Sequence, residues 1–279
     1  MSIALRPSSV RDPTGAGHGT VFDHLVPHVR HGIDLLVADS CALPLSLAED
    51  VLDAKERSRL RRLHPRARAS FRRRLLVRLL VSAHTGSRVD EPFDGVPCAR
   101  CGVTHSAPRS QTMRYLGLES SASHTGSAVA VAFGSTVLGV DIEAVANVTP
   151  AALSLALTAE ERVSLAGVCA ADRPQEAARY WTCKEAASKA AGVGNSVPMR
   201  AWRVDPAHGC DRVSVADDMG RRWSGVTVSM PCARVAAVVW PSELSGASET
   251  RWATRYISYQ DIRVEVTHAA VSFHGAGSK

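Results

Sequence analysis

Ser127-Ala-Val-Ala-Val-Ala-Phe133, Gly134-Ser135 and Thr136-Val-Leu-Gly-Val-Asp-Ile142 follow one another in the middle of a 279-residue chain. Both outer runs are apolar and rich in residues that favour strands. The Gly-Ser pair between them is a turn signal, so the spacing predicts a hairpin joined through Gly134-Ser135.

On the N-terminal side of this segment, Ile33–Ala38 reads as a short strand, and Leu47–Leu63 and Phe71–His84 carry helical periodicity, with Leu75, Leu76, Leu79 and Leu80 on one face. Residues 86–118 hold Gly and Pro without a clear period and read as loop. On the C-terminal side, Thr158-Ala159-Glu160-Glu161 has the spacing of a capping box. A helix is predicted over Gln175–Ala191, stopped by Gly192 and Gly194, and Gly225–Met230 and Arg234–Trp240 read as strands. Helices followed by strands thus occur twice, and the expected fold class is α+β with two similar halves. The expected division is an N-terminal tail over 1–32, halves over 33–140 and 141–241, and a C-terminal extension over 242–279. Within that extension Ile262–Thr267 alternates like one more strand.

Composition narrows the functional classes. With 45% hydrophobic and 22% charged residues, wholesale disorder and fibrous architectures are excluded. The longest apolar runs, Ala128–Phe133 and Val235–Trp240, fall far short of a membrane span, and no basic segment leads into an apolar run at the start. A soluble, cytoplasmic protein without a membrane partner is expected. The net charge of +6 fits polyanionic partners without choosing among them. Seven scattered cysteines argue for a reducing compartment rather than a disulfide framework. Cys98-Ala-Arg-Cys101 is followed by His105 but by no second pair, so a reduced turn is preferred there to a zinc site.

Four patterns bear on chemistry. In Gly139-Val140-Asp141-Ile142-Glu143 a strand period of two puts Asp141 and Glu143 on one face and Val140 and Ile142 on the other, toward a core. Adjacent carboxylates repel unless a cation sits between them, and oxygen ligands of this sort suit Mg²⁺ completed by substrate phosphates. The plainer alternative is two solvated carboxylates at a strand end. In Trp181-Thr-Cys-Lys184-Glu185-Ala-Ala-Ser-Lys189, helical spacing lines up Trp181, Glu185 and Lys189 with Lys184 beside them, while Tyr180, Cys183, Ala187 and Ala191 form a packing stripe. Only four lysines occur in the chain, and two of them are here. A Glu with two Lys offers a metal ligand or base together with cations for phosphate oxygens; the bland counterpart is an exposed Glu185–Lys189 pair. Ser121-Ala-Ser123-His124-Thr125-Gly126 reads as a polar loop able to approach a phosphate, although a His in a turn is more often structural. The basic stretch from Lys55 to Arg78, including Arg57 and Arg66, is a solvated helix face or a site for a nucleotide phosphate, an acidic partner helix or RNA.

Together and in this order, these pieces resemble the Sfp-type 4′-phosphopantetheinyl transferases. Gly139–Glu143 and Trp181–Lys189 match the two signature motifs at the right separation, and Ser123-His124-Thr125-Gly126 matches the segment ahead of them. Gly192-Val-Gly194-Asn-Ser-Val-Pro198 and the basic helix around Arg74–Arg78 match further parts, and the resemblance runs from about residue 33 to 241. It implies a pseudo-twofold pair of α/β halves holding coenzyme A, and Mg²⁺-dependent transfer of phosphopantetheine to a serine of acyl or peptidyl carrier proteins, with release of 3′,5′-ADP. It also implies a monomer. By this likeness Asp141, Glu143 and Glu185 hold Mg²⁺, Glu185 and Lys189 are catalytic, and Ser123, His124, Lys184 and Lys189 contact coenzyme A. The family's Lys ahead of the Ser-His segment is missing at Ser106-Ala107-Pro108. Its task falls to Arg109 or to upstream arginines, of which Arg57 and Arg66 are named.

The rival from another class is a basic nucleotide- or RNA-binding protein without transferase activity. It is disfavoured by an aromatic content of 5% and by the lack of a stacking pattern within the basic stretch.

Overall fold

The structure, a computed structural model, describes residues 2–7, 32–40, 43, 54–62, 64, 68–89, 91–93, 108–206, 211–242, 251–256 and 262–267. Its described strands are β1 (Ser2–Pro7), β2 (Gly32–Asp39), β3 (Glu119–Thr125), β4 (Ala128–Gly134), β5 (Gly139–Ala144), β6 (Arg203–Pro206), β7 (Arg212–Ala216), β8 (Arg222–Met230), β9 (Arg234–Pro241), β10 (Arg251–Tyr256) and β11 (Ile262–Thr267). Its described helices are α1 (Ala54–Arg62), α2 (Arg68–Thr85), α3 (Gln111–Tyr115), α4 (Pro150–Ala156), α5 (Ala159–Gly167) and α6 (Arg173–Ala190).

Two larger sheets lie face to face. One has the order β10-β2-β4-β3, in which only the β10–β2 pair is parallel; the other, β5-β9-β8-β7-β6, is antiparallel throughout. Ile33, Leu35 and Val37 of β2 and Ala128, Ala130 and Ala132 of β4 meet Val140, Ile142, Val226, Ala236, Val238 and Trp240 between the sheets. The alternate residues Leu36, Ala38, Val129, Val131 and Phe133 face outward onto α2, whose Leu75, Leu76, Leu79 and Leu80 are buried as their spacing predicts. On the far side, α6 covers the second sheet with Tyr180, Cys183, Ala186, Ala187 and Ala190 against Val215, Ala237 and Val239. The fold is therefore α+β in four layers, helix, sheet, sheet, helix. Strands β2, β4 and β9 read as near-continuous apolar runs because both of their faces are covered.

The hairpin expected at Gly134-Ser135 is not formed. β4 pairs with β2 and β3, while β5 pairs with β9 in the other sheet, so residues 135–138 carry the chain across from one sheet to the next. Leu138 drops into the inter-sheet core and packs against Gly134, where a Cβ would stand 2.8 Å from its Cδ2. The hairpin turn is one step earlier. Gly126-Ser127 joins β3 to β4 in a two-residue loop whose first position, Gly126, has φ 55°, a conformation that glycine adopts without strain.

Segments expected outside the two halves also join the architecture. β10 adds to the first sheet beside β2, and β11 pairs with β1 in a small sheet of its own. The expected boundary at 140/141 falls inside β5. The pair Cys98/Cys101, His105 and Ser106-Ala107 lie outside the described residues.

Candidate active site

The edge strand of each large sheet is the starting point. β3 ends the first sheet and β5 ends the second, and the two run side by side. Their backbones are not paired in a ladder, so an edge that would otherwise be unsatisfied is stitched by side chains. Three hydroxyls at every second position of β3 do this. Ser121 Oγ accepts from Val140 N at 3.1 Å, Ser123 Oγ donates to Asp141 Oδ1 at 2.7 Å, and Thr125 Oγ1 donates to Glu143 Oε1. The segment read as a polar loop is thus a strand whose period-two signal is written in hydroxyls rather than in aliphatic residues.

Helix α6 lies over the face of β5 that carries Gly139, Asp141 and Glu143. The approach is close because Gly139 has no side chain: a Cβ there would stand 2.0 Å from Ala186 O and 2.6 Å from Ala190 N. The alanines of α6 supply the matching smooth surface. Val140 and Ile142 point the other way into the core, as the strand period predicts.

This packing brings Lys189 onto Asp141. Its Nζ donates to Asp141 Oδ1 at 2.8 Å, to Ser123 Oγ at 3.0 Å and to Val140 O at 3.0 Å. Burial pushes the Asp141 carboxyl above its usual range, while Lys189 and the Ser123 hydroxyl draw it partly back. Glu185, one helical turn before Lys189, is half-buried and makes no hydrogen bond or ion pair among the described residues. Its carboxyl is also pushed up, first by burial and then by the Asp141 charge, with Lys189 opposing. Trp181, Glu185 and Lys189 are all half-buried while the flanking stripe is buried, as helical spacing predicts.

Glu143 is held by more donors than its sequence context suggests. Asn147 Nδ2 reaches its Oε1 at 2.7 Å and Ala144 N at 2.8 Å, in addition to Thr125. His124 is exposed beside the network. Its imidazole is pushed below the ordinary range by partial burial and by the cations of Arg73 and Lys189, so it is neutral at physiological pH. Arg73 also donates to Gly126 O at 3.2 Å. Sequence reasoning did not single out Arg73, Thr125, Ser121 or Asn147. The hydroxyl alternation of β3 was the available signal for two of them, and nothing local marked the others.

Lys184 is elsewhere. It was expected to meet a phosphate, but its side chain is fully buried on the opposite side of α6. There it donates to Glu161 Oε2 at 2.5 Å, Trp202 O at 2.6 Å, Ala156 O at 2.9 Å and Met199 O at 3.4 Å. Glu161 in turn accepts from Val204 N at 2.8 Å and closes the expected capping box with Thr158. The physical reason is angular: one residue is about 100° around a helix, so neighbours in sequence cannot share a face. Arg57 lies half-buried on α1. Arg66 lies outside the described residues. Arg109 pairs with Glu119 at 2.7 Å.

Among the described residues, no three His, Cys, Asp or Glu are drawn close enough to form a ready-made metal cage. The donor chemistry nonetheless suits a hard cation. Asp141, Glu143 and Glu185 supply only oxygen, Glu185 has no partner among the described residues, and the charges of Asp141 and Glu143 raise its proton affinity, a cost that a cation relieves.

Beside this cluster, an apolar groove of about 440 Å³ opens along the same helix. It is lined by Trp181, one turn before Glu185, by Ala152, Leu155 and Ala156 of α4, and by Pro198, Met199 and Arg200. No described helix is long and apolar enough to cross a membrane.

No curated protein gives a significant match to the chain. Residues 137–224 match the family model of the 4′-phosphopantetheinyl transferase superfamily. The matched span contains the whole of Gly139–Glu143 and Trp181–Lys189, the two segments that meet through Lys189 and Asp141.

Proposed function

We propose that the protein is an Sfp-type transferase, which moves the 4′-phosphopantetheine group of coenzyme A onto a serine hydroxyl of acyl or peptidyl carrier proteins. The observation that carries this reading is the meeting of three separate sequence segments, Ser123–Gly126, Gly139–Glu143 and Trp181–Lys189, in one polar network at the seam of two sheets. The superfamily match over 137–224 supports phosphopantetheine transfer in general. The helix–sheet–sheet–helix layering is consistent with a pseudo-twofold pair of halves.

The chemistry required is attack of a serine oxygen on the β-phosphorus of a diphosphate. A bond forms from that oxygen to phosphorus, the bond from phosphorus to the bridging oxygen breaks, and 3′,5′-ADP leaves with the bridging oxygen. Glu185 is suited to take the serine proton, directly or through water, since no hydrogen bond or ion pair among the described residues ties up its carboxylate. Lys189 presents an ammonium that neutralises charge at the phosphates while holding Asp141 in place. His124, neutral and exposed, can donate a hydrogen bond to a phosphate oxygen, with the Arg73 cation behind it. Mg²⁺ bound by Asp141, Glu143 and Glu185 would offset the charge of the diphosphate.

The test is the intact mass of an apo carrier protein incubated with this protein, coenzyme A and Mg²⁺, beside an EDTA control. A phosphopantetheine-sized gain that disappears with EDTA is expected. No gain on fatty-acid, polyketide or peptide carriers would overturn the reading.

A further inference from the structure

Asn147 stands outside the three segments that meet in the polar network, yet its side chain donates into that network. It ends the short helical turn Val145–Asn147, which follows β5. That turn is anchored away from the carboxylates, because Val145 N donates to Ala233 O in the loop between β8 and β9 at 2.9 Å. From there the Asn147 amide donates to Glu143 Oε1 at 2.7 Å and to Thr125 Oγ1 at 3.2 Å.

Counting donors and acceptors shows what this accomplishes. Thr125 Oγ1 accepts from Asn147 Nδ2 and, at 3.3 Å, from Ala144 N, so its lone pairs are in use and its one proton is directed onto Glu143. Glu143 Oε1 therefore accepts from Thr125, Ala144 N and Asn147, whereas Oε2 accepts from none of the described residues. Asp141 is divided in the same way: Lys189 and Ser123 both donate to Oδ1, and no described residue donates to Oδ2. Each carboxylate has one oxygen committed to the protein and one left over. Of the donors on Glu143, Ala144 N belongs to the next residue and moves with it. Only Thr125, from β3, and Asn147, from beyond β5, fix the carboxylate from outside its own peptide.

From this we infer that Asn147 is a positioning residue that restricts Glu143 to one free oxygen, and that this restriction makes the acidic site select Mg²⁺ over Ca²⁺. The inference rests on the metal role given to Asp141, Glu143 and Glu185 in the proposed function. Ca²⁺ takes roughly six to eight oxygens and gains from carboxylates that ligate through both, whereas Mg²⁺ is smaller, octahedral and served by single oxygens and waters. A glutamate whose Oε1 is already engaged by Thr125, Ala144 N and Asn147 is a poor two-oxygen ligand, so the larger ion is disfavoured. Asn147 does not touch the cation; it acts through Glu143.

The experiment is binding of Mn²⁺ to the metal-free full chain, followed by electron paramagnetic resonance, with displacement by Mg²⁺ and by Ca²⁺. The wild-type chain is expected to release Mn²⁺ to Mg²⁺ at lower concentration than to Ca²⁺. In Asn147→Ala, Mg²⁺ affinity should fall about tenfold, the lower end of what a residue behind a metal ligand is worth, while Ca²⁺ affinity stays within roughly twofold. The ratio of the two is the readout that a merely structural role would not move. Equal losses for both ions, or no loss for either, would overturn the inference. Should the alanine variant fail to fold, Asn147→Asp decides the matter. It keeps the shape of the side chain and removes both donors, so the same shift toward Ca²⁺ is expected, and a wild-type ratio would overturn the inference. A wild-type chain that yields Mn²⁺ equally to Mg²⁺ and Ca²⁺ would overturn this inference alone. A wild-type chain that binds no Mn²⁺ would defeat the metal role in the proposed function, and this inference with it.

Discussion

Lys189 Nζ lies 2.8 Å from Asp141 Oδ1, so a cation from helix α6 neutralises a buried carboxylate on the edge strand β5. Replacing Lys189 with Met leaves Asp141 buried with only Ser123 as a donor to it. Transfer should fall at least about a hundredfold, and urea unfolding should reveal a loss of about 1–3 kcal/mol. Wild-type turnover in that variant would remove Lys189 from the mechanism.

Glu185→Gln separates function from stability. The glutamate loses no hydrogen bond in the exchange, but transfer should drop by about 10²-fold or more if it accepts the serine proton. Its folded-state pKa is raised, so the native state disfavours the charged form. The stabilising contribution of the protonated group is complete below the unfolded pKa and is lost as pH rises through the folded one. At pH 7.5 the neutral amide should therefore raise the thermal midpoint by about 1–2 °C, and this gain should shrink toward zero in acid. A lowered midpoint at pH 7.5 would contradict the assignment of burial as the cause.

The same shift sets the pH dependence of the rate. The carboxyl must be deprotonated to hold Mg²⁺ or to accept a proton, so at limiting Mg²⁺ the rate should rise with pH along a limb centred above the ordinary glutamate value of about 4.3. The limb should be absent from the residual rate of the Glu185→Gln variant. A limb unchanged by the substitution would point to another group.

Gly139→Ala should be among the most damaging single substitutions. The new Cβ meets backbone atoms of Ala186 and Ala190 rather than a flexible side chain, so strand and helix must separate. A loss of about 3 kcal/mol or more is expected, read as a large drop in the urea midpoint or as insoluble expression. A variant with wild-type stability would show that α6 is able to shift at no cost.

Glu161→Ala removes the counter-charge of Lys184 and the side-chain acceptor of Thr158 N and Val204 N, leaving only the Thr158 end of the capping box. About 3–5 kcal/mol should be lost, again by urea unfolding, and Glu161→Gln should cost much less because the cap survives. Equal costs for the two would mean that the charge matters more than the cap.

Most of what sequence could supply was local period. The stripe of Trp181, Glu185 and Lys189, the inward Val140 and Ile142, the leucines of α2 and the Thr158–Glu161 box all follow from residue spacing, and all are found as expected. What depends on distant partners was not legible. The partner of Lys184 is Glu161, 23 residues away, and nothing in the Lys-Glu pair says which of the two faces the core. The strands β4 and β5 look like a hairpin because both are apolar and a Gly-Ser pair joins them. Only the pairing of β5 with β9 sends them to different sheets. β3 escaped notice because its alternation is of Ser and Thr, residues that turns also favour.

The hydroxyl stitching between β3 and β5 also has a bearing on solubility. Each is the last strand of its sheet, and an open edge is a template for pairing with another chain. Here each edge shields the other, and Val140 N, which a foreign strand would otherwise capture, is spent on the Ser121 hydroxyl. Substitutions that loosen the site, such as Ser121→Ala, are thus expected to promote edge-to-edge aggregation as well as to weaken the proposed transfer.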